Sequence, residues 1–239
     1  MTDTADRVRL YELVIENGRS SSPYVWRIRY ALAHKGIPFD SVPLGFTEIP
    51  ARFGGRLRTL PAIEHGGTTM NESWDIATYL DRTFADRPPL FATPAEFAMA
   101  RFTDEWFANA IMRQLFAIYA LDVHDAARPE DRSYFRRTRE ERLKGRTLEE
   151  YTTDRPAKLQ AVRAALAPLR NQLARFPFLG GESPSYCDYV VLGGFHWVAS
   201  VGTLPLLAAD DEPLRDWIER GFALYGGIGL DPRMKPLFE

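Results

Sequence analysis

The sequence predicts two structural units, a small mixed α/β domain followed by an all-α domain. In the first third of the chain, short apolar runs typical of strands alternate with helical spacing, in the order β-α-β and then β-β-α. From Pro94 onward, apolar residues recur at helical spacing. The segment Asp86-Arg87-Pro88-Pro89 interrupts both patterns. We therefore predict a first domain over residues 1–85, a linker over 86–93 and a helical domain over 94–239.

The first domain opens with an apolar run, a helix and a second apolar run. "RLYELVIE" at residues 9–16 and "FDSVPLGF" at residues 39–46 have the mixed apolar character of strands. Residues 23–35 have helical spacing, and Gly36 is a typical helix stop. Residues 47–59 show no periodic pattern, which predicts an irregular connection.

A hairpin and a helix complete the first domain. "AIEH" at residues 62–65 and "TTMNES" at residues 68–73 flank Gly66-Gly67, and this pattern predicts two strands joined by a tight turn. A helix is predicted to follow over about residues 74–84. It carries apolar residues at i, i+4 and i+8, namely Ile76, Leu80 and Phe84.

The second domain is predicted to consist of helices alone. Residues 95–121 form one long candidate helix. Its predicted apolar face contains Phe102, Trp106, Ile111, Leu115 and Tyr119. Further helices are predicted near residues 130–146, 157–175, 185–200 and 213–225. Pro168 falls inside one of them and should kink or restart it.

Composition argues against several functional classes. The net charge of −2 gives no basic field for nucleic acid, and the basic segment 128–146 is interpreted as a solvated helix with mixed-sign neighbours. Four dispersed histidines and one cysteine predict no metal site and no internal disulfide. No apolar run is long enough to cross a membrane. The first ten residues lack the apolar core of a signal peptide, so we expect a cytoplasmic protein.

The segment "SSSPYVWRIR" contains the first candidate catalytic residue. Ser22 precedes Pro23, and serine at the N-cap with proline at the first helical position is a common way to begin a helix. A purely structural capping role is therefore one interpretation. The other is that the helix start binds an anion, to which the Ser22 hydroxyl donates a hydrogen bond.

Three further motifs of the first domain are candidate binding features. A cis bond at Leu60-Pro61 would turn the Leu60 backbone outward, where an extended peptide could pair with it. Glu72 and Ser73 precede a helix and could hold an amino-acid head group, although Ser73 could also be a simple N-cap. Arg56 or Arg58 could bind a second carboxylate. Together these motifs predict a site for a short thiol peptide, namely glutathione.

The order and spacing of these motifs resemble those of the cytosolic glutathione transferases. "SSSPYVWRIRYALAHKGI" is similar to the catalytic loop and helix of that family, "TLPAI" to its cis-proline strand and "NESWDIATYLDRTF" to its γ-glutamyl-binding turn. "GGESPSYCDYVV" resembles the start of a buried helix in the family, with Ser185 as N-cap and Asp188 at the capping-box position. The resemblance implies a thioredoxin-like domain followed by a helical domain.

A closer resemblance is to the serine-type branch that includes bacterial β-etherases and related fungal transferases. The segments that carry it include "SPYVWR", "FGGR", "DRPPLF" and "DDEPLRDWIERGFALYGGIG". It implies a glutathione thiol activated by Ser22, a γ-glutamyl end bound by Glu72 and Ser73, and a cysteinyl part paired with Leu60. It also implies a homodimer and a hydrophobic or aromatic acceptor, with aryl-ether cleavage as one reaction. The predicted acceptor pocket is lined by Tyr24, Trp106, Ile111 and Trp197.

Two other functions remain open at this point. One is a glutathione-dependent cis-trans isomerase, and the other is a non-catalytic protein that binds glutathione or hydrophobic ligands. Tyr11 is an alternative thiol activator and Cys187 an alternative nucleophile, but core packing is the favoured interpretation of both residues.

Overall fold

The computed structural model describes residues 7–239, and its first part is a four-stranded mixed sheet covered by helices. The strand order is β2-β1-β3-β4; β1 runs parallel to β2 and antiparallel to β3, and β3 runs antiparallel to β4. The strands are β1 (Val8–Leu13), β2 (Phe39–Leu44), β3 (Ala62–His65) and β4 (Thr68–Asn71). The predicted order of elements in this domain is therefore confirmed.

Three helices accompany the sheet: α1 (Pro23–His34), α2 (Glu48–Arg52) and α3 (Ser73–Thr83). The prediction that residues 47–59 are irregular is partly wrong, because α2 lies within them. This helix has only five residues, and it contains Pro50 in its first turn, where a missing N–H is tolerated. Five residues are too few to give a periodic signal, so the sequence pattern did not reveal it.

The β3–β4 turn explains the paired glycines. Gly66 and Gly67 have φ of +54° and +76°, as both central residues of a type I′ turn require. The turn pairs His65 with Thr68 and Ile63 with Met70. The hairpin prediction is confirmed, although β4 ends at Asn71 rather than at residue 73.

The second part of the chain is helical. Its helices are α4 (Pro94–Trp106), α5 (Arg113–Ala126), α6 (Pro129–Arg142), α7 (Leu148–Tyr151), α8 (Arg155–Ala165), α9 (Ala167–Leu173), α10 (Tyr186–Val201) and α11 (Glu212–Gly227). A π-helical segment, Phe107–Met112, joins α4 to α5. Pro168 restarts the chain as α9 after α8 ends, as predicted. The four-residue α7 was not predicted.

Helix α10 is the centre of the helical domain. Every residue from Tyr186 to Val201 is buried. The Asp188 carboxylate accepts hydrogen bonds from the backbone N–H of Ser185 at 2.9 Å and from Trp217 Nε1 of α11 at 2.9 Å. Ser185 is the N-cap with Asp188 three residues on, so the predicted capping box is confirmed.

The two parts of the molecule share one core because α1 packs directly against α10. His196 of α10 is stacked between the rings of Trp26 and Phe222, with centroid distances of 3.8 Å to each. Its Nε2 lies 2.8 Å from the hydroxyl of Tyr30 on α1. The start of α1 is therefore fixed by helical-domain side chains. The exact division at residues 1–85, 86–93 and 94–239 stays a prediction.

Within residues 7–239, no helix combines the length and the apolar character that a membrane crossing requires.

Candidate functional site

A cavity of about 810 Å³ lies between the sheet domain and the helical domain. We call it the interdomain cavity. From the first domain it is lined by Leu13, Ser21, Ser22, Pro23, Tyr24, Phe46, Ile49, Arg58, Thr59, Leu60, Pro61, Glu72 and Ser73. From the helical domain it is lined by Ala108, Asn109, Met112, Arg113, Phe116, Val123, Tyr134, Phe135, Thr138, Arg139, Glu141, Arg142, Tyr151 and Trp197. This volume is within the range of about 300–1,000 Å³ that is typical of small-molecule sites.

Ser22 stands at the N-terminus of α1, in the wall of this cavity. Its backbone is extended, with φ of −101° and ψ of 122°, and its Oγ accepts a hydrogen bond from the Val25 N–H at 3.3 Å. Pro23 follows as the first helical residue and needs no partner for an N–H. Because the oxygen acts as acceptor in this cap, the hydroxyl proton is left to donate to a ligand.

The two preceding serines differ from Ser22. Ser21 also lines the cavity, whereas Ser20 does not. Both side chains are buried, and neither Oγ has a hydrogen-bond partner among residues 7–239. Ser21 is therefore a cavity residue in addition to Ser22.

Glu72 and Ser73 lie together at the start of α3, but the predicted N-cap is wrong. Glu72 occupies the N-cap position and Ser73 is the first helical residue. Glu72 has φ of +69°, which is uncommon for a residue with a Cβ, and its side chain makes no capping hydrogen bond. Its carbonyl begins the helix by accepting from the Ile76 N–H at 2.9 Å. The exposed Glu72 carboxylate accepts a long hydrogen bond from the Asn71 side-chain amide at 3.4 Å and can still face a ligand, beside backbone N–H groups at the helix start.

Leu60 and Pro61 form the next part of the wall. Their peptide bond is cis. The ladder between β1 and β3 pairs Tyr11 with Ala62, so the Leu60 backbone lies just outside it. An extended peptide could bind there through main-chain hydrogen bonds.

The structure distinguishes the two candidate arginines. Arg58 lines the cavity and is exposed. Arg56 is not among the lining residues, and its Nε donates to the Phe53 carbonyl at 3.3 Å. Arg58 is therefore the better placed of the two to meet a carboxylate in the cavity.

Only two of the four predicted acceptor-pocket residues line the cavity. Tyr24 and Trp197 do, but Trp106 and Ile111 do not, so their assignment was wrong. Ile111 is 1% exposed and packs in the core. Ile111 lies in the π-helical segment, whose wider turn changes which side chains face inward compared with a regular α-helix. Trp106 is the last residue of α4, before that segment.

The π-helical segment itself supplies cavity residues. Ala108, Asn109 and Met112 line the cavity from it. The side-chain amide of Asn109 donates to the Glu105 carbonyl at 2.9 Å, and that of Gln114 donates to the Ala110 carbonyl at 2.6 Å. These bonds support carbonyls next to the irregular turn.

Helix α6 forms a wall that the sequence analysis missed. Its cavity residues are Tyr134, Phe135, Thr138, Arg139, Glu141 and Arg142. Their spacing of three to four residues is that of one helix face, but the many charges made the segment resemble a solvated helix. That interpretation does hold for the outer face, where Arg136 contacts Glu140 at 2.9 Å.

The alternative nucleophile and thiol activator lie outside the cavity. Cys187 is buried, its Sγ accepts from the Thr103 hydroxyl at 3.4 Å, and burial raises the pKa of its thiol. Tyr11 is fully buried, contacts Arg52 through its hydroxyl and packs edge-on against Phe53 at 4.9 Å. Core packing accounts for both residues. Residues 7–239 contain no cluster of three histidine, cysteine, aspartate or glutamate side chains suited to a metal ion.

Comparison with known families agrees with this geometry. Residues 21–83 match the N-terminal domain of glutathione S-transferases, and residues 98–219 match the C-terminal domain. The chain belongs to the glutathione S-transferase family. Its fold, a thioredoxin-like domain followed by a helical domain, is the glutathione S-transferase fold.

Relatives occur in fungi and plants. A glutathione S-transferase-like protein of Aspergillus flavus is 32% identical over 75% of this chain and 74% of its own. Glutathione S-transferase U7 of Arabidopsis thaliana is 27% identical over 76% of this chain and 68% of its own. Among solved structures, a glutathione S-transferase of Ceriporiopsis subvermispora in complex with glutathione has 25% identity and a TM-score of 0.78, covering 95% of this chain and 99% of its own.

Proposed function

We propose that this glutathione S-transferase family member binds glutathione in the interdomain cavity and activates its thiol through Ser22. The observation that carries the proposal is the geometry of the α1 start: the Ser22 Oγ accepts from the Val25 N–H at 3.3 Å and lines the cavity. The hydroxyl can therefore donate to a thiolate next to the positive end of the helix dipole. Bound glutathione would supply the nucleophile.

Ser22 and the N-terminus of α1 can together stabilise the glutathione thiolate sufficiently without a charged base. A thiol titrates near pH 8.5, and lowering its pKa by about two units requires roughly 2.7 kcal/mol of differential stabilisation. A hydrogen bond to a charged group contributes about 1.5–3 kcal/mol, and a helix N-terminus contributes up to about 1–2 kcal/mol. Ser22 acts as a donor and remains unmodified.

The remaining glutathione contacts would come from other first-domain residues that line the cavity. Glu72 would pair with the γ-glutamyl ammonium, and the α3 start at Ser73 would receive the α-carboxylate. The Leu60 backbone would pair with the cysteinyl part, and Arg58 would bind the glycyl carboxylate. The positive φ of Glu72 supports this assignment, because uncommon backbone conformations occur preferentially at functional sites.

The acceptor would lie against Tyr24, Trp197 and the α6 wall. Attack by the thiolate on an electrophilic carbon gives a glutathione thioether. We propose β-aryl ether cleavage, with release of a phenol, as the specific reaction, on the basis of the serine-type sequence motifs. Mass spectrometry of products formed from glutathione and a panel of β-aryl ethers, halides and cis-dienoic acids tests this proposal.

Each result of that experiment favours one function. A thioether with free phenol supports the etherase, and a thioether from halides alone supports a general transferase. A product of unchanged mass that separates from the substrate by chromatography, with its double bond converted from cis to trans, supports the isomerase. The absence of every product, with glutathione still bound in calorimetry, supports a non-catalytic binding protein.

We also propose a cytoplasmic homodimer. Met99 and Phe102 are 57% and 63% exposed and lie one turn apart on α4, which supports an interface there. Light scattering of Phe102→Glu, with the exposed Phe176→Glu as control, tests the oligomeric state. A dimer that survives both changes would exclude this face.

A further inference from the structure

The interdomain cavity carries more positive than negative side chains. Its arginines are Arg58, Arg113, Arg139 and Arg142. Its carboxylates, among the described lining residues, are Glu72 and Glu141. Glu141 is within 3.5 Å of Arg137, which lies outside the cavity, and Glu72 belongs to the proposed glutathione site. The acceptor side therefore contains cations whose charge the cavity does not balance.

Arg139 is the most constrained of these cations. Its guanidinium carbon lies 4.7 Å from the centre of the Phe135 ring and 5.4 Å from that of Phe46. Its Nη1 donates to the Thr138 hydroxyl at 3.0 Å. Within residues 7–239, no carboxylate lies within ion-pair distance of it, in contrast to Arg136 and Arg137 on the same helix.

This environment leaves Arg139 with unused hydrogen-bond donors. A guanidinium has five N–H donors, and only one of those of Arg139 has a side-chain partner here. Burial, and then the neighbouring Arg142, lower the pKa of Arg139 to about 10, so the side chain stays charged at neutral pH. A partly buried cation between aromatic rings is suited to a planar anion.

We propose that Arg139 binds the anionic group of the acceptor, so that the preferred acceptors are aromatic carboxylates or comparable aromatic anions. The proposal rests on the function proposed above. The carboxylate would accept two parallel hydrogen bonds from the guanidinium, as the fork geometry allows. The acceptor ring would pack against the aromatic side chains of the same cavity, including Phe116, Tyr134, Tyr151 and Trp197.

Glutathione itself carries carboxylates, and the structure favours Arg58 for its glycyl end. Arg58 is two residues before Leu60 in the same segment of the first domain, whereas Arg139 belongs to α6. A ligand that pairs with the Leu60 backbone would therefore lie close to Arg58. Arg139 is then available to the second substrate.

Two fluorescent probes of the same shape separate charge from packing. Anilinonaphthalene sulfonate is an aromatic anion, and N-phenylnaphthylamine is the same ring system without the sulfonate. We expect Arg139→Gln to weaken binding of the anionic probe about 10-fold or more, and to change binding of the neutral probe less than about twofold. The affinity of Arg139→Lys for the anionic probe should lie between those of wild type and Arg139→Gln, because lysine keeps the charge but loses the planar fork.

The matched control is Arg136→Gln, which removes an arginine of α6 that does not line the cavity and whose partners, Glu140 and Glu149, do not line it either. Both probes should bind this variant unchanged. Equal losses for the two probes in Arg139→Gln would overturn the proposal and assign Arg139 to packing. Unchanged binding of the anionic probe would also overturn it. A loss of glutathione affinity in calorimetry, without loss of the probe, would assign Arg139 to glutathione instead.

The probes are measured without glutathione and without turnover. Failure of the proposed transferase activity therefore leaves this result intact, and the two proposals fail separately. Circular dichroism of each variant verifies that the fold is retained.

Discussion

Gly193 of α10 lies directly against the main-chain carbonyl oxygen of Pro23, the residue that follows Ser22. A Cβ added at Gly193 would stand 2.3 Å from that oxygen and 3.4 Å from Cγ of Arg27. No real Cβ approaches an oxygen so closely, so any side chain here must displace the start of α1. The position of the Ser22 hydroxyl thus depends on the absence of one methyl group in the other domain.

Gly193→Ala should therefore impair both stability and activity. Overpacking costs about 1–3 kcal/mol of unfolding free energy, and the displaced α1 start should lower conjugation even well below the melting temperature. Ala199→Gly in the same helix is the control, because it should destabilise by about 1 kcal/mol without moving α1. A destabilised Gly193→Ala enzyme with normal turnover would contradict the link between the two residues.

Ser22→Ala should reduce kcat/KM for conjugation by about 10- to 100-fold, because the thiolate loses a hydrogen bond of about 1.5–3 kcal/mol. Glutathione binding should change little. Ultraviolet titration of the bound thiol should show its pKa moving up towards about 8.5. Ser20→Ala removes a hydroxyl outside the cavity and should behave as wild type; equal losses in both variants would point to a general effect of the loop.

Glu72→Gln should weaken glutathione binding about 10-fold or more, because an ammonium loses its charged partner. Asp75→Asn is the control: Asp75 is an exposed carboxylate in the first turn of the same helix and does not line the cavity. Calorimetry measures both dissociation constants. Similar small losses of glutathione affinity in the two variants would argue that Glu72 makes no direct ion pair and acts only through the electrostatic field at the start of α3.

Arg58→Gln should weaken glutathione binding about 10-fold, whereas Arg56→Gln should leave it unchanged. The physical reason is that only Arg58 lines the cavity. Glutathione esterified at its glycyl carboxylate, which has no charge at that end, should bind wild type and Arg58→Gln equally. If the ester still discriminates between them, Arg58 contacts another part of glutathione.

His196 should make folding stability depend on pH. Burial, with added repulsion from Arg19 and Arg29, lowers the pKa of His196 well below its usual range, so the folded protein keeps it neutral. The unfolded chain takes up a proton near pH 6.5, so this stability is present above that pH and lost as pH falls. The loss approaches about 1.4 kcal/mol per pH unit.

Urea unfolding of wild type and His196→Gln at neutral pH and near pH 5 measures this effect. The variant should be less stable than wild type at neutral pH, and the difference should shrink on acidification. Parallel stability curves for the two proteins would show that His196 titrates alike in the folded and unfolded states.

The part of the site that the sequence predicts well is made of local signals. The helix start at Ser22 and Pro23 depends on two adjacent residues, and local chemistry decides the backbone there. The cis bond at Pro61 was only one possibility at the sequence level, because most X-Pro bonds are trans. The register of Glu72 and Ser73 was one residue off, because Glu72 adopts a backbone conformation that its type rarely takes.

The helical wall of the site could not be predicted in the same way. Trp106 and Ile111 were assigned as linings of a pocket between the domains, and Ile111 lies in the π-helical segment, where regular helical spacing does not hold. Arg139 was missed because its neighbours in sequence, Arg136 and Glu140, belong to an ion-paired outer face. Which arginine of a charged helix turns inward depends on tertiary packing against Phe46, more than ninety residues away in the chain.

The π-helical segment also offers a route by which such enzymes could change substrate in a single genetic event. One π-turn is equivalent to a one-residue insertion in an α-helix. Deleting Ala110 would restore α-helical spacing within this segment and leave α4 and α5 in place. Ala108, Asn109 and Met112, the cavity residues of the segment, would be rearranged while Ser22 and the glutathione wall stayed in place. Acceptor preference could thus be changed by the length of a helix, with the catalytic hydroxyl unaltered.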